Sequence, residues 1–406
     1  MAIDEIAQKR TAEAGESFVA TRVNNVPPSG IRKFFDVLAS MDHVISLGIG
    51  EPDFVTPEHI RQAGTASVDA GLTHYTSNYG IMDLRRSIAD KLEGLYGVNY
   101  DPQDEILVTV GASEGIDIAV RATMEHGDGV LLPEPAYVSY AACVLFAGAV
   151  VQPVPTRAAN GFSLSAKAVE QAITAESRAI LLGFPNNPTG AVLDPVEAQG
   201  IVDLAVEHDL LIISDEIYDR LVYGAPHVCI AALKGARERT VLVNGFSKAY
   251  AMTGWRLGYA CAPAEILEAM MKVHQYVIMS APTSAQYAGV EALRKGDGDV
   301  ADMVAEYDRR RRRLVQGLND MGLTCVEPRG AFYAFPSIAV TGMSSEEFSL
   351  KLLEEEHVAV IAGTAFGDLG EGHVRLCYAT AYEQIEEALE RMGRFVGRHA
   401  NGRQPA

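Results

Sequence analysis

Cysteine is scarce in this 406-residue chain: Cys143, Cys229, Cys261, Cys325 and Cys377 are five in number, widely spaced, and include no Cys-x-x-Cys pair. That excludes a disulfide-stapled scaffold and predicts a reducing, cytoplasmic setting with most thiols serving as small buried groups. Positive charge is also short, with 34 Lys and Arg against 53 Asp and Glu and a formal net charge of −19. Such a surface repels phosphate backbones, so no nucleic acid is expected as a partner. No apolar run reaches about 18 residues, and the polar stretch from Met1 to Ser17 lacks a leader's apolar region, so neither a membrane span nor a signal peptide is expected. Repeats with periods of roughly 20–50 residues and low-complexity blocks are lacking. So are the phosphate-loop pattern Gly-x-x-x-x-Gly-Lys-Ser/Thr and the third glycine of a dinucleotide fingerprint after Gly48-Ile49-Gly50. The ten histidines show no zinc-type spacing, and no catalytic metal is expected.

What remains is an ordinary globular composition, 48% hydrophobic and 21% charged, long enough for roughly two to three domains. From about residue 48 to 260, short β-branched runs alternate with helical stretches. Ile106 to Val110 reads as a strand, followed by a Gly-Ala-Ser-Glu-Gly turn and a helix from Ile116 to Met124. Ala179 to Phe184, Leu210 to Ser214 and Val241 to Asn244 read as further strands, and Asp194 as the cap of a helix from Pro195 to His208. Alternation of this kind predicts a largely parallel, helix-covered sheet. After Pro263 the texture changes: helical patterns from Glu265 to about Lys295 and from Asp299 to Met321 precede a strand-rich stretch from Thr324 to Pro336. A helix from Ser345 to His357, a strand from His373 to Tyr378 and a last helix from Tyr382 to about Val396 complete a smaller α+β domain. The expected division is an N-terminal segment, 1–47, packing with the small domain, with Val26-Pro27-Pro28-Ser29-Gly30 extended over it; a large domain, 48–295; and a small one, 296–406. The run Arg309 to Arg313 reads as a solvated helix face paired with Glu306 and Asp308.

In such sheets ligands sit beyond the carboxyl ends of the strands. Five strand-end segments qualify: Gly111-Ala112-Ser113, Asn186-Asn187-Pro188-Thr189-Gly190, Asp215-Glu216-Ile217-Tyr218, Ser247-Lys248 and Gly254-Trp255-Arg256-Leu257-Gly258. Singly, each is an ordinary turn, cap or surface pair. Their order and spacing together resemble the fold-type I pyridoxal-phosphate enzymes, specifically the class I/II aminotransferase family and its branch of prokaryotic aspartate and aromatic aminotransferases. Matching segments run from Ser46-Leu47-Gly48-Ile49-Gly50-Glu51-Pro52-Asp53-Phe54 to Val374-Arg375-Leu376, and the longest is Ser247-Lys248-Ala249-Tyr250-Ala251-Met252-Thr253-Gly254-Trp255-Arg256.

The resemblance implies an α/β fold of that type, with a mostly parallel seven-stranded sheet in the large domain. It implies that Lys248 holds pyridoxal 5′-phosphate as a Schiff base and afterwards moves a proton, work suited to an amine whose pKa a crowded cationic pocket can lower. Asp215 pairs with the pyridine nitrogen. Tyr218 and Asn187 hydrogen-bond the phenolic oxygen, and Tyr137 stacks on the ring. Ala112, Ser113, Ser247 and Arg256 surround the phosphate, a helix N-terminus and a planar guanidinium being natural anion donors. Tyr75, in His74-Tyr75-Thr76-Ser77-Asn78-Tyr79-Gly80, reaches the phosphate of the other subunit, so a homodimer is implied. Arg375 grips the substrate α-carboxylate, with Gly50 and Asn187 beside it.

Two departures from the family pattern stand out: Ala362 where relatives commonly carry proline, and about 20 N-terminal residues that match nothing in it. The implied reaction moves an amino group between an L-amino acid, aspartate or aromatic, and a 2-oxo acid such as 2-oxoglutarate by a ping-pong route. A carbon–sulfur β-lyase on the same scaffold uses the same cofactor residues and stays open as the alternative. A cofactor-sensing transcription regulator requires a basic N-terminal DNA-binding module, for which there is too little chain. Ile31, Phe34, Tyr79 and Tyr333 are the candidates for contacting the substrate side chain.

Overall fold

The computed structural model describes residues 18–26 and 43–400. Ile31, Phe34 and most of the Pro-Pro stretch after Val26 therefore lie outside the described residues. The chain enters the fold through the short strand β1 (Ile45–Ser46). The β-branched runs then build a seven-stranded sheet from β2 (Ile106–Thr109), β3 (Gly129–Glu134), β4 (Val150–Pro155), β5 (Ser177–Gly183), β6 (Leu211–Asp215), β7 (Thr240–Gly245) and β8 (Gly258–Cys261). Their order is β2-β8-β7-β6-β5-β3-β4. The ladders from β4 through β7 are all parallel, and only β8 runs against its neighbours. The inner strands are apolar and almost wholly buried, as a sheet covered on both faces requires, whereas edge strand β4 carries exposed residues and Pro153 and Pro155.

A second, three-stranded antiparallel sheet orders β11 (Ile361–Ala362), β12 (Val374–Cys377) and β9 (Tyr333–Ala334), while β10 (Val358–Ala359) pairs in parallel with β1. The described part of the N-terminal segment thus touches the second sheet region through β1, while its short helix Thr21–Asn24 approaches the helix Val138–Ala147.

Several elements differ from the sequence expectation. The Gly-Ala-Ser-Glu-Gly stretch is the first turn of the helix Gly111–Thr123: the Glu114 carboxylate accepts the Val110 N–H at 2.5 Å, so the helix starts at once after the strand. The stretch expected as one helical pattern from Glu265 is two helices, Ala264–Val277 and Thr283–Lys295, because Pro282 lacks the N–H that would continue the ladder. Of the strand-rich stretch 324–336 only Tyr333–Ala334 is a strand. Its other backbone groups bond to loops instead, Arg329 and Gly330 N–H to the Gly190 carbonyl and Ala331 N–H to that of Leu221. Asp194 caps its helix as expected, accepting from the N–H groups of Val196 and Glu197.

The arginine run lies on the helix Asp297–Asp320. Arg309 and Arg312 pair with Glu306 and Asp308 in solvent, as expected. Arg310 and Arg311 do not: both are 6% exposed, because helical spacing turns them inward beside buried Tyr307 and Leu314. Arg310 pairs with Asp53 and Glu306, and Arg311 with Asp308 and Glu327. The Arg310–Asp53 bond, 2.8 Å long, fastens the Glu51-Pro52-Asp53-Phe54 loop, and so the neighbouring Gly48 and Gly50, to this helix.

Candidate active site

Strand ends converge on a cleft of about 440 Å³ between the large sheet and β12. Asp215 is the last residue of β6, and Ser247 and Lys248 follow β7. Ala112 and Ser113 begin the helix after β2, Asn187 follows β5, and Tyr137 follows β3. All of them line the cleft, together with Gly50, Tyr218, Arg256 and Arg375. Tyr75 does not. Its ring is 80% exposed on the surface of its own chain. Tyr79, expected as a side-chain contact, is not a lining residue either and packs on the core with the Arg85 guanidinium 5.6 Å from its ring centre. Tyr333 does line the cleft.

Lys248 is partly buried and donates from Nζ to the Gly50 carbonyl at 2.6 Å. Burial lowers its pKa to about 8, and the guanidiniums of Arg375 and Arg256 push in the same direction. Asp215 is 4% exposed. Its carboxylate accepts from the Tyr140 hydroxyl at 2.8 Å and from the Ile217 N–H at 3.1 Å, but burial dominates and raises its pKa to about 6. Arg375, 2% exposed, donates from Nη1 to Asn187 Oδ1 at 2.9 Å and from Nη2 to the Gly48 carbonyl at 2.6 Å. Its guanidinium lies between the rings of Tyr333 and Phe366, 4.6 and 4.8 Å from their centres, and its Nε has no partner among the described residues.

Ala112 and Ser113, in the first turn of the helix Gly111–Thr123, line the cleft together with Arg256. Gly111 has φ +75°, and a Cβ there would stand 2.4 Å from Arg256 Nη2, so glycine is what lets the guanidinium lie against this turn. Tyr140 was not legible as a site residue. The signal for it was its spacing: three residues past Tyr137, on the same side of the helix Val138–Ala147, with the two rings edge to face at 5.5 Å.

The donors fit pyridoxal 5′-phosphate. A buried carboxylate suits a protonated ring nitrogen, a low-pKa amine suits an aldehyde, and a helix N-terminus with an arginine suits a phosphate. The unpartnered Arg375 Nε leaves a donor for a further anion. No cluster of His, Cys, Asp and Glu able to hold a metal occurs among the described residues.

The buried carboxyl makes a pH prediction. A folded-state pKa of Asp215 raised from 3.8 to about 6 means that its contribution to stability is present below pH 4 and lost as pH rises through 6. In the ligand-free protein the loss is on the order of 3 kcal/mol. Urea unfolding of the wild type and Asp215→Asn between pH 4 and 7.5 measures it. The wild type weakens relative to the variant across that window, and parallel curves contradict the assignment.

Residues 42–392 match the family described as aminotransferase class I and II. The chain is 48% identical to the aspartate aminotransferase of Pyrococcus abyssi, over 93% of this chain and 98% of that one. It is 46% identical to aromatic-amino-acid aminotransferase 2 of Thermococcus litoralis, with the same coverage of each. The solved aromatic aminotransferase of Pyrococcus horikoshii superposes with a TM-score of 0.86 at 47% identity, covering 90% of this chain and 99% of that one. With fold, cleft and relatives in agreement, the chain belongs to the class I and II aminotransferases, the enzymes that use pyridoxal 5′-phosphate to transfer amino groups.

Proposed function

We propose that the enzyme moves an amino group between aspartate or an aromatic L-amino acid and a 2-oxo acid such as 2-oxoglutarate, in two half-reactions at the cleft described above. The observation that carries the reading is that a buried carboxylate, Asp215, an amine of lowered pKa, Lys248, and a buried guanidinium, Arg375, line one cleft. The names of the Pyrococcus abyssi and Thermococcus litoralis relatives support the substrate classes.

When bound, pyridoxal phosphate supplies an electron sink for the pair left on the substrate's α-carbon. The protein's side chains do the rest. Lys248 would anchor the cofactor, and its Nζ, with a pKa lowered to about 8, would take the proton from the α-carbon and return one. Asp215, oriented by Tyr140, faces the ring nitrogen and holds its proton. Asn187, whose Oδ1 accepts from Arg375, has its amide N–H left to donate to the phenolic oxygen, where Tyr218 would also donate. Tyr137 stacks on the ring. Arg256, Ser113, Ser247 and the Ala112 N–H hold the phosphate. Arg375 would take the α-carboxylate beside the backbone of Gly50 and so hold the α-carbon in one orientation.

The proposal extends to a homodimer in which Tyr75 of the partner subunit completes the phosphate site. The exposure of Tyr75, and of Tyr276 and Val277 at 87% and 68%, supports such a covered face. It also includes the division into segments 1–47, 48–295 and 296–406, and a cytoplasmic setting, supported by five free thiols. No helix among the described residues is long and apolar enough to cross a membrane.

An absorption titration of the cofactor-loaded enzyme tests the reaction. Glutamate, aspartate or phenylalanine converts the visible band to that of the amine form, and 2-oxoglutarate restores it. Pyruvate and ammonia released with no 2-oxo acid present would assign the chain to β-elimination instead.

A further inference from the structure

We propose that Tyr333 is a positioning residue that links the two halves of the site, its hydroxyl supporting Tyr218 on the cofactor side and its ring supporting Arg375 on the substrate side. The inference rests on the roles proposed above for those two residues.

Tyr333 sits on β9, paired with Cys377 two residues past Arg375 on β12, and is 1% exposed. Its hydroxyl is 2.7 Å from that of Tyr218, and the two rings meet edge to face at 5.8 Å. The hydroxyl also rests against the α-carbon of Gly50, where a Cβ would stand 2.5 Å away. The hydroxyl is therefore enclosed by Tyr218 and the Gly50 loop, while Tyr333 as a whole lines the cleft. The ring forms one wall of the Arg375 slot and Phe366 the other.

A tyrosine hydroxyl has one proton to give. When Tyr218 spends its proton on the phenolic oxygen of the cofactor, the 2.7 Å contact is satisfied only by Tyr333 donating and Tyr218 accepting. The result is a chain of two donations running into the phenolic oxygen, in which the first strengthens the second. An oxygen stabilised in this way competes less for the neighbouring proton on the Lys248 nitrogen. The pH midpoint of the cofactor's visible band falls accordingly. Stacking by Tyr333, in contrast, holds the guanidinium plane in register for a carboxylate without touching the cofactor.

The two functions separate by substitution. In the loaded, substrate-free enzyme, Tyr333→Phe raises the band's pH midpoint by about half a unit and leaves KM for the amino acid within about twofold, since the ring over Arg375 is kept. Tyr333→Leu raises the midpoint similarly. It also raises KM, and weakens binding of the unreactive carboxylate 3-phenylpropanoate, by roughly tenfold. An unmoved midpoint in Tyr333→Phe overturns the hydroxyl link, and a Tyr333→Leu enzyme with wild-type carboxylate affinity overturns the stacking link. Should the leucine variant fail to fold, Tyr333→Phe decides the hydroxyl link through the midpoint, and Tyr333→Met, which fills the space without a ring, decides the stacking link through 3-phenylpropanoate affinity. The wild type serves as the control for the underlying reading: if it shows no band, or none that an amino acid changes, the proposed function fails. If it behaves as described and both variants titrate like it, only the role of Tyr333 fails.

Discussion

Lys248→Ala lowers kcat by at least about four orders of magnitude, because one side chain loses both its attachment to the cofactor and its proton transfer at the α-carbon. No neighbour replaces it. The other cations lining the cleft among the described residues are Arg256 and Arg375, and guanidinium does not give up its proton at working pH. The fold does not suffer. With a folded-state pKa lowered to about 8, charged Lys248 is a cost to the ligand-free protein below that pH, so removing the amine leaves stability near neutrality equal or higher. Steady-state kinetics with a melting curve of the ligand-free protein reads both parts. Substantial residual turnover, or a collapse in melting temperature, contradicts the account.

Arg375→Ala raises KM for the amino acid by about 10²–10³-fold, the equivalent of roughly 3–4 kcal/mol for removing one partner of a buried charge pair. The effect falls on binding more than on kcat, since Lys248 and Asp215 are untouched. Arg375→Lys recovers little, because a lysine ammonium cannot reproduce the fork that spans Asn187 and Gly48 while also packing against the rings of Tyr333 and Phe366. A KM within about threefold of wild type in either variant would show that the carboxylate is gripped elsewhere.

Much of this architecture is legible in the sequence because it is local. Runs such as Ala179 to Phe184 and Val241 to Asn244 carry the strand signal in their own composition, and the polar residues that line the cleft, Asn187 and Ser247, follow each run within three positions. Asp194 caps its helix through bonds two and three residues away, a range that spacing alone resolves. What escapes is set by distant partners. Nothing near Arg310 announces that Asp53, 257 residues earlier, will hold it in the interior. Residues 329–331 look like a strand, but their backbone groups are taken by Gly190 and Leu221. Tyr333 reads as a pocket wall, which it is, but only the fold places the Tyr218 hydroxyl against its own. Tyr140 belongs with them, its link to Asp215 lying across 75 residues.

The most direct test of the central claim is to reduce the cofactor-loaded enzyme with borohydride, digest it, and locate the attached group by mass spectrometry. The account predicts a pyridoxyl group on the peptide containing Ser247-Lys248-Ala249 and on no other lysine. Attachment at a different lysine, or none on a protein that transaminates, would contradict it.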